Sequence, residues 1–122
     1  LAADSPVAAA GLIQLAGSVD ELTGPIVTAA AQAGDAAALS LCTNMGRWLG
    51  RGLANLAAVL DPSIFVIGGG VSQAGELLLR PAREEFVHTL TGRGFRPVAD
   101  IVSAALGPDS GLVGAADIAR RA

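Results

Sequence analysis

Val66-Ile67-Gly68-Gly69-Gly70-Val71-Ser72 is the stretch on which the reading of this chain turns. It overlaps Ile64-Phe65-Val66-Ile67, a short apolar run of β-branched and aromatic residues between a Pro turn and three glycines. Such a run predicts a strand buried on both faces, as in parallel sheets. Ser72 can cap a helix over Gln73 to about Leu90, with Leu78, Ala82, Phe86 and Leu90 on one face. Pro81 falls inside that segment and is expected to kink or divide it. Strand, glycine turn and helix place backbone N–H groups and a helix N-terminus at the carboxyl end of a sheet, where α/β folds hold ligands. Glycine permits positive φ and leaves no Cβ between the main chain and a flat or phosphorylated ligand. The dinucleotide fingerprint G-x-G-x-x-G fails, because Gln73 stands where the last glycine belongs. A tight turn without a ligand would use the same residues, so both readings stay open on the motif alone.

Upstream, polar side chains between Ala36 and Leu60 fall at Ser40, Asn44, Arg47, Arg51 and Asn55. Those steps of three and four draw one narrow stripe at helical period and predict a long helix with most of its circumference buried. About 25 residues would make it about 37 Å long. Asp35 can cap its start, and Asp61-Pro62 ends it because Pro disfavours helix in the residue before it. Gly46 and Gly50 share a face and suggest a notch where another backbone approaches closely. Before this helix, Ser5-Pro6 predicts a helix start with Gly17 as its close. Ser18-Val19-Asp20-Glu21 has capping-box spacing for another short turn, and Ile26 to Ala33 reads as a helix ended by Gly34.

Downstream, Gly92-Arg93-Gly94-Phe95-Arg96-Pro97 is a loop, and Val98 to Leu106 predicts a second strand centred on Ile101 and Val102. Gly107-Pro108 turns the chain, Asp109 or Ser110 caps, and Gly111 to Arg121 makes a last helix ending in Arg. The pattern is α/β, yet two strands make a poor sheet, so partner strands are expected outside this chain.

Composition removes several function classes. The chain has 122 residues, 52% of them hydrophobic and 16% charged, too apolar for a disordered segment. Its net charge is −3 and its eight basic residues are all Arg, so it has no electrostatic footprint for nucleic acid and no polybasic membrane patch. Without Lys it cannot be a P-loop NTPase. Cys42, the single cysteine, can form neither an internal disulfide nor a cysteine-based zinc site. No apolar stretch reaches the length of a membrane span. Among other candidates, His88 reads as a structural residue. Glu84 and Glu85 diverge by about 100° on a helix and suit paired acid–base work poorly. Asp109-Ser110-Gly111 starts like a D-x-G-x-T phosphate loop, but Val113 replaces the Thr and Asp109 reads as a cap. Trp48 reads as a core residue, with an interface anchor as the other possibility. Gly111, Gly114, Ala115 and Ala116 offer a small-residue face for close helix packing.

Taken together, Ala33-Gly34-Asp35-Ala36-Ala37, Gly46-Arg47-Trp48-Leu49-Gly50, Gly52-Leu53-Ala54-Asn55-Leu56 and Leu60-Asp61-Pro62-Ser63 with the glycine stretch resemble the C-terminal region of the ROK family of repressors and sugar kinases. The likeness continues through Leu77-Leu78-Leu79, Pro81-Ala82-Arg83, Thr91-Gly92-Arg93-Gly94, Ala105-Leu106-Gly107 and Gly111-Leu112-Val113-Gly114, spanning about Thr23 to Arg121. Its Leu60-Asp61-Pro62 and Thr91-Gly92-Arg93-Gly94 details look most like bacterial ROK-type glucokinases. The resemblance implies an actin-like, ribonuclease-H-like ATPase fold with two lobes and a nucleotide cleft. This chain would be the helix-rich C-terminal lobe with a small, incomplete sheet. Residues 1–122 would form a partial ROK domain: helical segment 5–60, adenosine-motif strand-loop-helix 63–90, strand 98–106 and hinge-crossing helix 109–121. The implied cofactor-binding residues are Gly68, Gly69, Gly70 and Val71, with Gly69 and Gly70 against the adenosine of ATP and the helix from Ser72 walling the adenine pocket. ATP with Mg2+ and glucose would be the parent protein's partners. The family's phosphate loop, catalytic Asp, sugar-binding Glu and His and Cys/His zinc motif have no counterpart here. No catalytic or metal-binding residue is therefore expected in the chain, and a structural zinc is expected outside it.

Phosphoryl transfer needs a base, a metal and a phosphate clamp together, so the segment by itself is expected to be inactive. The other readings are the sugar-sensing domain of a ROK transcriptional repressor and an interaction domain with no nucleotide role. The intact Gly68-Gly69-Gly70 run favours the kinase, since a repressor has no need of adenosine contacts. The opening Leu1-Ala2-Ala3-Asp4-Ser5-Pro6 shows neither Met nor a basic leader, so the chain reads as cut from something longer, without a signal peptide. Cytoplasm is the default location. Apolar faces left by a missing lobe predict a homo-oligomer.

Overall fold

The structure is a computed structural model and describes residues 10–121. The helix start expected at Ser5-Pro6 lies outside the described residues. Helix α1 (Ala10–Ala16) closes at Gly17, whose N–H donates to Ile13 O at 2.8 Å. Ser18-Val19-Asp20-Glu21 forms only a turn and no helix, contrary to its capping-box spacing. Helix α2 (Gly24–Gln32) starts two residues before the expected Ile26, with Pro25 in its first turn, where a missing N–H costs little. Helix α3 (Ala36–Leu60) has the bounds its polar stripe predicts. Asp35 Oδ1 accepts from Ala38 N at 2.8 Å, and Asp61 ends the helix in the left-handed region (φ 43°, ψ 51°). The stripe faces solvent, but burial is confined to the opposite face. Trp48 is 70% exposed, with the Arg51 guanidinium 5.3 Å from its ring centroid, so the expected core role for Trp48 is not met among the described residues.

Strand β1 (Ile64–Ile67) leads through a 3-10 turn at Gly70–Ala74 into helix α4 (Glu76–Thr89), and the chain returns as strand β2 (Asp100–Ser103). The strands are parallel, with Ile64 opposite Asp100 and Ile67 opposite Ser103. β1 is covered on one face only: Val66 on its other face is 59% exposed, not buried as its composition suggests. Asp100 N and Ala104 N donate to Ser63 O and Ile67 O, so Ile101 turns its backbone groups to the outer edge of β2. There Arg83 Nε donates to Ile101 O at 2.8 Å while the guanidinium holds Glu76 at 2.7 Å.

The break expected at Pro81 occurs instead at Gly75 (φ 54°, ψ −132°), and α4 runs on through Pro81. The α3–α4 contact explains this. A Cβ on Gly46 would lie 2.6 Å from Pro81 Cγ and 2.5 Å from Leu78 O, and one on Gly50 would meet Ala82 O and Phe86 N. The bare helix face at Gly46 accommodates the proline ring. Leu53, Ala57, Leu79, Phe86 and Ile101 form one core, where the Phe65 and Phe86 rings meet edge-on at 5.9 Å. Leu12, Ala30, Ala31, Ala38 and Cys42 form a second core, packing α1 and α2 on the first half of α3. A 3-10 turn at Gly107–Asp109 precedes helix α5 (Ser110–Arg121), where the Ser110 hydroxyl donates to Gly107 O at 2.6 Å. α5 buries no residue, and a Cβ on Gly111 or Gly114 would meet nothing within 4 Å, so the expected helix packing has no partner among the described residues.

Candidate functional site

The glycine turn follows β1 directly. Gly69 has φ 78° and ψ −174°, a conformation essentially confined to glycine. Its carbonyl is held twice, by Ser72 N at 3.1 Å and the Ser72 hydroxyl at 2.7 Å. Ser72 therefore does not cap a long helix as its position suggests. It locks the turn, and the helix N-terminus is carried on to Glu76. A Cβ on Gly69 or Gly70 would meet nothing within 4 Å, so the main chain there is uncovered. Gly68 differs, since its Cβ would sit at ordinary contact, 3.6 Å from Ala104 Cβ.

Gly70 and Val71 line a cavity of about 520 Å³, a size ordinary for small-molecule sites. Its far wall comes from α2 and α3, through Val27, Leu41, Cys42 and Met45. Gln73 and Ala74 of the 3-10 turn complete the near wall, and Gly24, Pro25 and Thr28 of α2 the rest. Of the four glycine-stretch candidates, Gly70 and Val71 reach the cavity, Gly69 lies uncovered beside it, and Gly68 packs toward Ala104. The wall from α2 and α3 was not visible in the sequence. Thr23-Gly24-Pro25 reads there only as punctuation, and Cys42 only as a thiol without a partner. Nothing linear joins them to a turn some thirty to fifty residues away.

Among the described residues, no charged side chain lines the cavity. Burial pushes the Cys42 thiol above its ordinary value of 9.0, so at neutral pH this wall is protonated and uncharged. The chain's other titratable candidates lie elsewhere. His88 is exposed on α4, and Glu85 takes a 2.7 Å hydrogen bond from Arg51 Nε, which holds its carboxyl below the ordinary range. Among the described residues, no three His, Cys, Asp or Glu side chains gather as a metal site would need. No single described helix is long and apolar enough to cross a membrane. The arrangement can take a flat, largely apolar group against exposed main chain; it offers no base or metal clamp at the cavity wall.

Comparison with known proteins gives a consistent result. The ROK family model matches residues 7–122. A glucokinase from Streptomyces coelicolor is 45% identical over 104 residues, which are 85% of this chain and 33% of the relative. A glucokinase from Thermotoga maritima is 35% identical over 105 residues, 86% of this chain and 33% of the relative. The crystal structure of a ROK family glucokinase from Streptomyces griseus, in complex with glucose and AMPPNP, superposes with a TM-score of 0.91 at 47% identity, covering 99% of this chain and 39% of that one. The chain thus spans about a third of the length of these curated relatives.

Proposed function

This chain belongs to the ROK family and has the fold of the C-terminal lobe of an actin-like ATPase, and from that premise we propose that it is the nucleotide-binding lobe of an ATP-dependent glucokinase. The reaction is transfer of the γ-phosphoryl group of ATP to O6 of glucose. One observation carries the assignment to this lobe: the uncovered main chain at Gly69 and Gly70 beside an apolar cavity of about 520 Å³. A purine ring slides between Val71 and the α2–α3 wall, while Gly69 and Gly70 approach the ribose without a Cβ in the way. A Cβ on Gly68 would come to ordinary contact with Ala104 and Ser110, so this position is less open than the two glycines after it. The kinase names of the relatives favour an enzyme over a sugar-sensing repressor.

Mg2+ would accompany the ATP phosphates and supply charge neutralisation during transfer. Among the described residues no carboxylate lines the cavity, and in this reading the base that takes the glucose proton comes from the rest of the protein. The isolated 122-residue chain, incubated with glucose and MgATP, is therefore expected to yield no glucose 6-phosphate above a blank. The cytoplasm is the compartment this reading requires, since both substrates meet there.

Gly70 is the position that tests the nucleotide site. Its φ is not in the left-handed region and its surroundings are open, so Gly70→Leu adds bulk without local strain. In the full-length protein this variant should raise KM for ATP at least about tenfold, leave KM for glucose unchanged and keep Tm within about 4 °C of the parent. An unchanged KM for ATP would remove the nucleotide from this turn.

A further inference from the structure

The cavity wall also bears on which nucleotides enter it. Among the described residues lining it, Thr28 and Gln73 carry the strong hydrogen-bonding side chains, with Cys42 a weak donor and Met45 a weak acceptor. Resting on the nucleotide reading above, we propose that Gln73 and Thr28 read the edge of the base, and that the site takes purine nucleoside triphosphates as a class instead of adenine alone.

The argument is one of hydrogen-bond sign. Adenine presents an amine donor at position 6 beside an acceptor at N1, and guanine presents an acceptor at position 6 beside a donor at N1. A site separates the two strongly when it meets them with groups of fixed sign, because the wrong base then leaves a buried group unpaired. Asp, Glu and Arg are such groups, and none lines this cavity among the described residues. A glutamine amide carries both a carbonyl acceptor and an NH2 donor, and half a turn about its last torsion exchanges them. Gln73 is exposed at the rim, on the 3-10 turn, so this rotation meets no packed neighbour. The threonine hydroxyl likewise donates or accepts. The remaining side chains, Val27, Leu41, Met45 and Val71 among them, grip the faces of the ring system and read its width, which is common to purines and too large for a pyrimidine to fill.

The test uses the full-length protein and compares kcat/KM for glucose phosphorylation with ATP, GTP, ITP and UTP. We expect GTP and ITP within about tenfold of ATP, and UTP lower than all three. Gln73→Glu makes the rim acceptor-only and should move the ATP:GTP ratio at least about fivefold through KM, toward ATP where it meets position 6 of the base and toward GTP where it meets N1. Gln73→Leu should lower kcat/KM for both purines by similar factors and leave their ratio near that of the parent. A parent enzyme that prefers ATP over GTP by more than tenfold overturns the inference, as does a Gln73→Glu variant whose ratio has not moved. Because the readout is a ratio within one variant, partial misfolding cannot imitate it. Should no nucleoside triphosphate support transfer, and ADP fail to bind by calorimetry, the nucleotide reading falls and this inference with it; ATP activity with strict adenine selectivity overturns the inference alone.

Discussion

At the residue scale, single side chains do what their chemistry allows only where the fold brings them a partner. Asp35 was legible in the sequence because a cap and its helix are neighbours along the chain. Trp48 was not, because composition marks a tryptophan as apolar without saying which face of α3 finds a partner; here it stands outward under Arg51. Ser72 was half legible: its closeness to the turn was evident, while its donation to Gly69 O depends on a 3-10 geometry that spacing does not announce. Glu85 shows how such a pairing reaches stability. The hydrogen bond from Arg51 holds its carboxyl below the ordinary value of 4.5, so the folded state binds this proton less readily than the unfolded one. Its contribution is whole above the ordinary value and drains away as pH falls through the depressed one. Glu85→Gln should therefore flatten the acid limb of a stability-versus-pH curve, measured by thermal melts from neutral pH downward, and change little at pH 7 beyond the loss of an exposed pair.

At the element scale, α3 could be read to the residue because its periodic stripe from Ser40 to Asn55 extends over about four turns, and both ends carry a boundary signal. The strands were legible in type and weaker in extent, since β2 is only Asp100–Ser103 within the apolar stretch that suggests it. Pro81 misled because the rule against proline in helices counts the lost N–H and ring clash but not a neighbour shaped to receive the ring. That neighbour is Gly46, on an element some thirty-five residues earlier. The α3 glycines accordingly divide by what lies beyond them. Gly46→Ala and Gly50→Ala force a Cβ into α4 backbone and should each cost about 1–3 kcal/mol. Gly52→Ala meets nothing within 4 Å and should gain about 0.5–1 kcal/mol from helix propensity. Urea denaturation of the three variants distinguishes them by the sign of the shift in midpoint.

At the scale of the whole molecule, the chain leaves large apolar side chains in the open: Phe95 is 98% exposed, Val59 81%, Leu112 73% and Ile118 72%. They fall on α5, on the end of α3 and on the 92–97 loop, which Arg96 ties to α3 through Ala57 O and Asp61. The relatives are about three times longer than the segment they share with this chain, and exposed apolar faces of this kind mark surfaces fit for contact with other protein. The isolated chain is expected to self-associate, and sedimentation velocity over a concentration series should show a species heavier than the 12.1 kDa monomer. The glycine turn could be read from one sequence because it is contiguous; the cavity it borders could not, since three separate elements enclose it. Arg83 carries a last consequence for assembly. It fills the carbonyl of Ile101 on the outer edge of β2, whereas among the described residues no strand pairs with the far margin of β1. The little sheet thus has one margin partly plugged by a guanidinium, and a further strand meets less obstruction beside β1 than beside β2.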